Sequence, residues 1–405
     1  MLEVNNKRMC SFCFSTLMQG TDSCPVCGSM KKIRTMPEVL PCGTILHGRY
    51  VLGKTLGKGG FSITYTAYDS RTDSVVAVKE FFPSDIAKRN ADGIIVTART
   101  NKEEAVYKQG MKHFYEEAQI LSSLRHPNIV NIYNLYSENG TVYYTMEYLR
   151  GSDLRQFVNS KGGKIKEEDL IPIIACVAEA LQTVHENRLL HRDIAPDNIF
   201  LSEDGTVKLI DFGAAKDIGI SGNKSFSIIL KQGFAPMEQY QRRGNQGPWT
   251  DIYALGSTMY YCLNGKMPPF AAERINDPVL KIECSDNMAL LISDAMALKP
   301  EDRIRSIKEF KQRLFSVICS LQTSSETEEM QRHAESERKS NITAESEKTD
   351  DSVKLTGYDA VIKSYVRRYS EIIKAFLNKI PLAVKIIAGI IIVLIVIIII
   401  LSAGM

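Results

Sequence analysis

The chain has 405 residues, 44% of them hydrophobic and 24% charged, with a formal net charge of +3. At roughly 100–200 residues per domain this length allows two or three units, and the composition is that of an ordinary globular protein. So small a net charge excludes a global basic field directed at nucleic acid.

Nine cysteines is an odd number, and the opening MLEVNNKRMC has no apolar core segment of the kind a signal peptide carries. Both features predict a reducing compartment and metal-bound thiolates in place of disulfides. Cys10 and Cys13 form one CxxC pair, and Cys24 and Cys27 form a second, with Pro25 and Gly28 beside the second. A tight turn lets both thiolates of a pair reach one metal, and two pairs close a tetrahedral site. Residues 8–30 are therefore expected to be a zinc ribbon, a mini-domain whose folding energy comes from structural Zn²⁺. The alternatives for these cysteines are a redox or nucleic-acid site, or four unrelated buried thiols. Few Lys or Arg residues flank them beyond Lys31, Lys32 and Arg34, so nucleic acid is not an expected partner. Residues 31–47 read as a linker, with Cys42 incidental.

From Tyr50 the texture is globular. Tyr50–Leu52, Ile63–Ala67 and Val75–Val78 are apolar and β-branched runs between turn residues, which predicts antiparallel strands. LGKGGFSITY (56–65) lies between two of them. Its glycines Gly57, Gly59 and Gly60 let backbone N–H groups close over phosphates without Cβ clashes. In the strand VVAVKEFF, Lys79 is either a solubilising edge lysine or a fixed ammonium for phosphates. Residues 114–124 have helical periodicity and carry Glu116 and Glu117; neighbours on a helix point in different directions, so only one can face Lys79. Beyond Gly151 the pattern turns helical, over Leu170–His185, Asp251–Leu263, Met288–Ala297 and Ile307–Ile318. Strands first and helices later predict a two-lobed α+β domain over 48–318. Within it HRDIAPDN offers Asp193 and Asn198, and IDFGAA offers Asp211. Asp193 could take a hydroxyl proton, and the other two supply hard oxygen ligands of the type Mg²⁺ requires.

The chain then changes character. Residues 320–352 are polar and acidic and bury too little apolar area to offset ordering entropy, which predicts a disordered linker. Residues 353–382 carry an apolar helical stripe with Lys363, Arg367, Arg368 and Lys374 mostly off it, a pattern suited to an anionic membrane surface or to packing on the globular part or on a second copy. Residues 386–405 hold no charge and would span about 30 Å as a helix, one bilayer core. The basic residues before this stretch predict a single-pass protein in the cell membrane, with everything N-terminal to the span in the cytoplasm.

The ordered set of motifs LGKGGFS, VVAVKEFF, HRDIAPDN, IDFGAA and FAPMEQY resembles the eukaryotic-like (Hanks-type) serine/threonine protein kinases over residues 50–318. The KEFFP run, the HRDIAPDN wording and the zinc-ribbon start resemble their membrane-anchored bacterial branch. The resemblance implies a β-rich N-lobe, a helical C-lobe, and transfer of the ATP γ-phosphate to protein Ser/Thr hydroxyls with Mg²⁺ or Mn²⁺. It implies that Gly57 and Gly59 cover the ATP phosphates, that Lys79 pairs with Glu117, and that Asp193 is the catalytic base. Asn198 and Asp211 would hold the metal, Met146 would be the gatekeeper, and the backbone of Glu147–Leu149 would hold adenine. Phe212 and His191 would belong to the internal hydrophobic spine, Glu238 would pair with Arg303, and Asp251 would anchor the catalytic loop. Arg192 and Lys216 would receive a phosphorylated activation-segment residue, with Ser221, Ser225 and Ser227 as candidates and Ser225 and Ser227 preferred. Autophosphorylation in trans, through a homodimer on the membrane, follows as an expectation.

Three positions depart from the family pattern. Ser62 replaces the third glycine of the loop, and Thr64 the valine over adenine. Ala195 stands where the family has a lysine that touches the transferring phosphoryl group. An ungapped alignment back from Glu238 puts Lys231 where the family has the threonine that this lysine contacts. The expectation is a relocated charge, with Lys231 neutralising the phosphate from the opposite side; the alternatives are that Lys231 faces solvent or recognises acidic substrates. The competing class is a pseudokinase scaffold with the zinc ribbon as partner dock, and Ala195 is its main support.

Overall fold

A computed structural model describes residues 2–4, 7–18, 23–28, 38–212, 231–241 and 244–321. All of these except 203–205 belong to one compact unit of residues 1–202 and 206–346. The expected span 386–405, the basic helix 353–382, the acidic segment from 322 on, and Lys216, Ser221, Ser225 and Ser227 lie outside the described residues. Among the described residues no helix is long and apolar enough to cross a membrane.

The N-terminal part starts with a short antiparallel ribbon, β1 (Leu2–Val4) and β2 (Lys7–Met9), followed by the cysteine unit. The first lobe is built on a six-stranded antiparallel sheet. Its strands are β3 (Ile45–Leu46), β4 (Tyr50–Lys58), β5 (Ser62–Asp69), β6 (Ser74–Phe81), β9 (Ile132–Glu138) and β10 (Thr141–Glu147), in the order β3-β4-β5-β6-β10-β9. Alternating apolar residues turn inward, so Leu52, Ile63, Val78 and Phe81 are fully buried. A small hairpin, β7 (Ala87–Arg89) with β8 (Val96–Ala98), fills the interval before helix α1 (Glu104–Ser123).

The second lobe carries a three-stranded sheet of β11 (Gly151–Asp153), β12 (Ile199–Ser202) and β13 (Val207–Leu209). Its helices are α2 (Leu154–Ser160), α3 (Glu167–Glu186), α4 (Met237–Tyr240), α5 (Pro248–Asn264), α6 (Asp286–Ala295) and α7 over residues 307–321. Helix α5 is its buried axis. Pro248 opens it with φ already set for a helix, and Gly265 closes it in the left-handed region at φ 66°. A Cβ on Gly265 would lie 2.6 Å from the Gly163 carbonyl oxygen.

Two local differences from the sequence expectation have clear causes. Helix α1 starts about ten residues earlier than residue 114, because Tyr107 and Gly110 continue the buried stripe of Phe114, Ala118 and Leu121 at three- and four-residue spacing. Residues 38–47 are not a free tether: Leu40 and Leu46 are buried and β3 pairs with β4. The β7–β8 hairpin had only a weak signal, the Asp92-Gly93 turn, in which Asp92 accepts from the backbone N–H groups of Ile94 and Ile95 at 2.8 and 3.1 Å.

Candidate active site

The two lobes meet at a cleft of about 260 Å³. It is lined by Gly59, Gly60, Phe61 and Ser62 from the β4–β5 turn, by Lys79, Phe114, Glu117 and Tyr144 from the first lobe, and by Asp193, Asn198, Asp211, Phe212 and Lys231 from the second. Five candidate polar side chains, Lys79, Glu117, Asp193, Asn198 and Asp211, thus converge from positions up to 132 residues apart. Gly57 lies in β4, Glu147 ends β10 and Leu149 follows it. These three do not line this cavity.

Strand β6 presents Lys79 to the cleft because its period of two turns the neighbouring Glu80 to the opposite face. Glu80 is fully buried there, accepting from Tyr65, Tyr143 and Arg89. Lys79 Nζ lies 2.5 Å from Asp211 Oδ1. Burial works against the charged ammonium, but Asp211, Tyr144 and Glu117 outweigh it and hold Lys79 above the ordinary lysine range. Tyr144 lies directly across from Lys79 in the β6–β10 register, so it shares the cleft face. The choice between the two glutamates is settled by helix geometry: Glu117 lines the cleft, while Glu116 is half exposed and lies 3.7 Å from Lys112 one turn earlier.

The loop after α3 is held from below. Asp251, fully buried on α5, accepts the backbone N–H groups of His191 and Arg192 at 2.9 and 2.7 Å, and lies 2.8 Å from His185 Nε2. Burial opposes ionisation of Asp251, yet His185 and these N–H groups keep it below the usual carboxylate range. Arg192 and Asp211 both adopt left-handed backbone, at φ 64° and 53°. Non-glycine residues there cost on the order of 1–2 kcal/mol, and both flank the cleft.

His191 packs against Phe212 with ring centroids 4.2 Å apart and the ring planes tilted by 37°. Its Nδ1 accepts from the Asp193 backbone N–H at 3.3 Å, and its Nε2 faces the Ile210 carbonyl at 3.2 Å. That pairing requires a neutral ring with the proton on Nε2, and burial pushes the group down to about 4. Asn198 donates from Nδ2 to both the carbonyl and Oδ2 of Asp193, each at 2.7 Å. Its amide oxygen is then the atom it could offer to a metal. Asp211 is ionised: burial raises it, but Lys79 and then Lys231 bring it below the usual range. Asn198 and Asp211 therefore supply the hard oxygen donors that Mg²⁺ or Mn²⁺ would take.

Ala195 is fully buried and carries no charge to the cleft. Lys231 Nζ lies 3.6 Å from Asp193 Oδ2 and 3.7 Å from Asp197 Oδ2, with a quarter of its side chain exposed. Sequence reasoning missed what holds this arrangement. Arg155 of α2 grips Asp197 through Nε and, at 3.1 Å, through Nη2, and its guanidinium lies over the Tyr261 ring at 4.9 Å. Arg155 and Asp197 are 42 residues apart, and although Asp197 stands in HRDIAPDN, Arg155 stands in no motif, so no local pattern links them. Further out, Glu238 and Arg303 form a buried pair at 2.7 Å, reinforced by Thr250.

The four N-terminal thiols also converge. Cys10–Cys27 and Cys13–Cys24 are each 3.6 Å apart between sulfurs, and all four lie within 4.8 Å of one another. Zinc–sulfur bonds of about 2.3 Å in a tetrahedron place sulfurs roughly 3.8 Å apart. The cluster fits such an ion, with Cys10, Cys13, Cys24 and Cys27 as its ligands.

Comparison with known proteins agrees with this geometry. A family model described as protein kinase domain matches residues 50–334. Serine/threonine-protein kinase PrkC of Bacillus subtilis is 30% identical over 226 residues, 56% of this chain and 32% of PrkC. Serine/threonine-protein kinase PknB of Mycobacterium tuberculosis is 30% identical over 67% of this chain and 43% of its own length. The chain thus spans less than half the length of these curated relatives. Among solved structures, the apo form of PpkA-294 is 34% identical with a TM-score of 0.62, covering 68% of this chain and 99% of its own. The Mycobacterium tuberculosis PknI kinase domain, 21% identical with a TM-score of 0.50, covers 69% of this chain and 99% of its own and shares the fold.

Proposed function

We propose, from the premise that this chain belongs to the protein kinase family, that it is an active serine/threonine protein kinase. The observation that carries this reading is the convergence of Lys79, Asp193, Asn198 and Asp211 on one cavity under the glycine-rich turn. Lys79 holds the α- and β-phosphates of ATP. Asn198 and Asp211 would hold Mg²⁺ or Mn²⁺, which when bound would supply charge neutralisation to the phosphates. Asp193, fixed by Asn198 and by the loop that Asp251 anchors, orients the protein hydroxyl and accepts its proton. Phosphoryl transfer asks little covalent chemistry of the protein and much positioned charge. Lys231 supplies the cation that Ala195 does not. The names of the relatives support serine/threonine over tyrosine as acceptor.

The rest of the reading concerns the whole protein. Residues 386–405 anchor it to the cell membrane with the catalytic part cytoplasmic. Confinement there favours autophosphorylation in trans at Ser225 or Ser227, with Arg192 and Lys216 receiving the new charge. Zinc in the Cys10, Cys13, Cys24 and Cys27 site folds the N-terminal unit. The test is incubation of the full chain with labelled ATP and Mg²⁺ beside Asp193→Asn. Label should enter protein serine or threonine in the first and fall at least 100-fold in the second. Equal labelling of both would refute the assignment.

A further inference from the structure

The β4–β5 hairpin, whose turn roofs the phosphate end of the cleft, is gripped at both ends by chain that precedes it. At its base the register with β5 shifts between Leu52 and Thr55, and Gly53 sits in that irregularity. A Cβ on Gly53 would lie 2.7 Å from Cζ of Phe14 and 2.6 Å from Thr66 Oγ1, so the missing side chain is the notch that Phe14 occupies. Phe14 adopts left-handed backbone, φ 59°, and is buried in a cluster with Met9, Val51 and Tyr68. Lys54 Nζ lies 5.5 Å from the Phe12 ring centroid, and Cys42 Sγ donates to the Gly53 carbonyl at 2.9 Å. Phe12 and Phe14 flank Cys13. Their backbone is set by the cysteine cluster, since the N–H of Phe12 meets Cys10 Sγ at 3.4 Å and that of Phe14 meets the Cys10 carbonyl at 3.0 Å.

At the tip, Lys58 of the glycine-rich turn pairs with Glu38. The Glu38 carboxylate is also 3.7 Å from Arg99, and its carbonyl accepts from Arg89 Nε at 2.8 Å. Arg89 in turn is buried against Glu80, the neighbour of Lys79 on β6. The segment preceding the hairpin therefore touches it on the outside at base and tip. Among the described residues that line the cleft, none precedes Gly59, so this grip leaves the cleft open.

We propose that the N-terminal cysteine unit is a positive regulatory clamp on the nucleotide-covering hairpin. With a metal held by the four cysteines, Phe14 stays seated over Gly53 and the hairpin is ordered before nucleotide arrives. Without it the hairpin must be ordered by the nucleotide itself, and affinity falls. A coupling of roughly fivefold, the lower end for linked sites, is expected. The affinity half of this inference rests on the nucleotide reading of the cleft; the ordering half does not.

The experiment compares the full chain with Phe14→Ala and, separately, Glu38→Ala, whose half-buried side chain makes only surface ion pairs with Lys58 and Arg99. Zinc content, backbone hydrogen exchange over residues 50–69 and calorimetric affinity for ATP with Mg²⁺ are measured on each. Phe14→Ala should keep its zinc, exchange faster along the whole hairpin and bind ATP roughly fivefold more weakly. Glu38→Ala should loosen the tip alone. Unchanged exchange in zinc-loaded Phe14→Ala overturns the clamp, and faster exchange with unchanged affinity overturns its regulatory role. If neither wild type nor variant binds ATP, the kinase reading has failed, and exchange still decides whether the clamp exists.

Discussion

Replacing Lys231 by methionine removes the ammonium and keeps most of the aliphatic stem. The ammonium sits 3.6 Å from Asp193, the proposed proton acceptor, so in the proposed mechanism it would face the transferring phosphoryl group. At an effective dielectric of about 20, unit charges about 4 Å apart interact by roughly 4 kcal/mol. A quarter of the Lys231 side chain is exposed, and solvent screening cuts that value to roughly 2–3 kcal/mol. Each 1.4 kcal/mol of transition-state stabilisation is about tenfold in rate, so kcat should fall by roughly 30- to 150-fold. The KM for ATP should change little, because Lys79 and the metal ligands remain. Steady-state phosphorylation of a serine peptide at saturating ATP measures this. Lys231→Arg, which keeps the charge, should retain activity within about tenfold of wild type, and Ala195→Lys with Lys231→Thr should recover part of the loss. Wild-type kcat in Lys231→Met would show that the charge near Asp193 plays no part in transfer and that Ala195 is simply tolerated.

Other consequences are open to direct measurement. His191 is held neutral down to about 4, against 6.5 for a free imidazole. Between those values the unfolded chain binds more protons than the folded one, so stability rises with pH across the window and is lost as pH falls through it. The whole window is worth at most roughly 3 kcal/mol; denaturant titrations from pH 4 to 7 should show the slope, and His191→Gln should flatten it. Arg303→Ala would strand the Glu238 carboxylate in a buried site, costing about 3–5 kcal/mol and lowering the thermal midpoint by several degrees, whereas Arg313→Ala, at a pair more than a third exposed, should cost under about 1 kcal/mol. One zinc per chain is expected by metal analysis, and Cys10→Ser with Cys13→Ser should abolish it.

The sequence alone determined the chemistry-bearing groups whose relationships are local. HRDIAPDN places Asp193 and Asn198 five residues apart in one turn, where Asn198 can hydrogen-bond Asp193 directly. Strand alternation separates Lys79 from Glu80, and the paired cysteines declare their spacing within each knuckle. These could be read because a turn, a strand or a helix converts residue number into distance by fixed geometry. The sequence also showed that a charge was missing at Ala195, and it named Lys231 as the replacement only by borrowing an alignment.

Tertiary structure decided everything that depends on two segments meeting. The resemblance named Glu117, but the residues alone left Glu116 open, and it is the way α1 lies on the sheet that turns Glu117 to the cleft. Arg155 holds Asp197, Lys231 comes within reach of Asp193, and Phe14 fills the notch at Gly53, each pair far apart in the chain. No periodicity encodes such contacts, since they follow from how lobes and loops pack, where a shift of about 1 Å in one element changes which side chains touch. Gly53 in a strand signals a close approach, but its partner could be identified only in the folded chain.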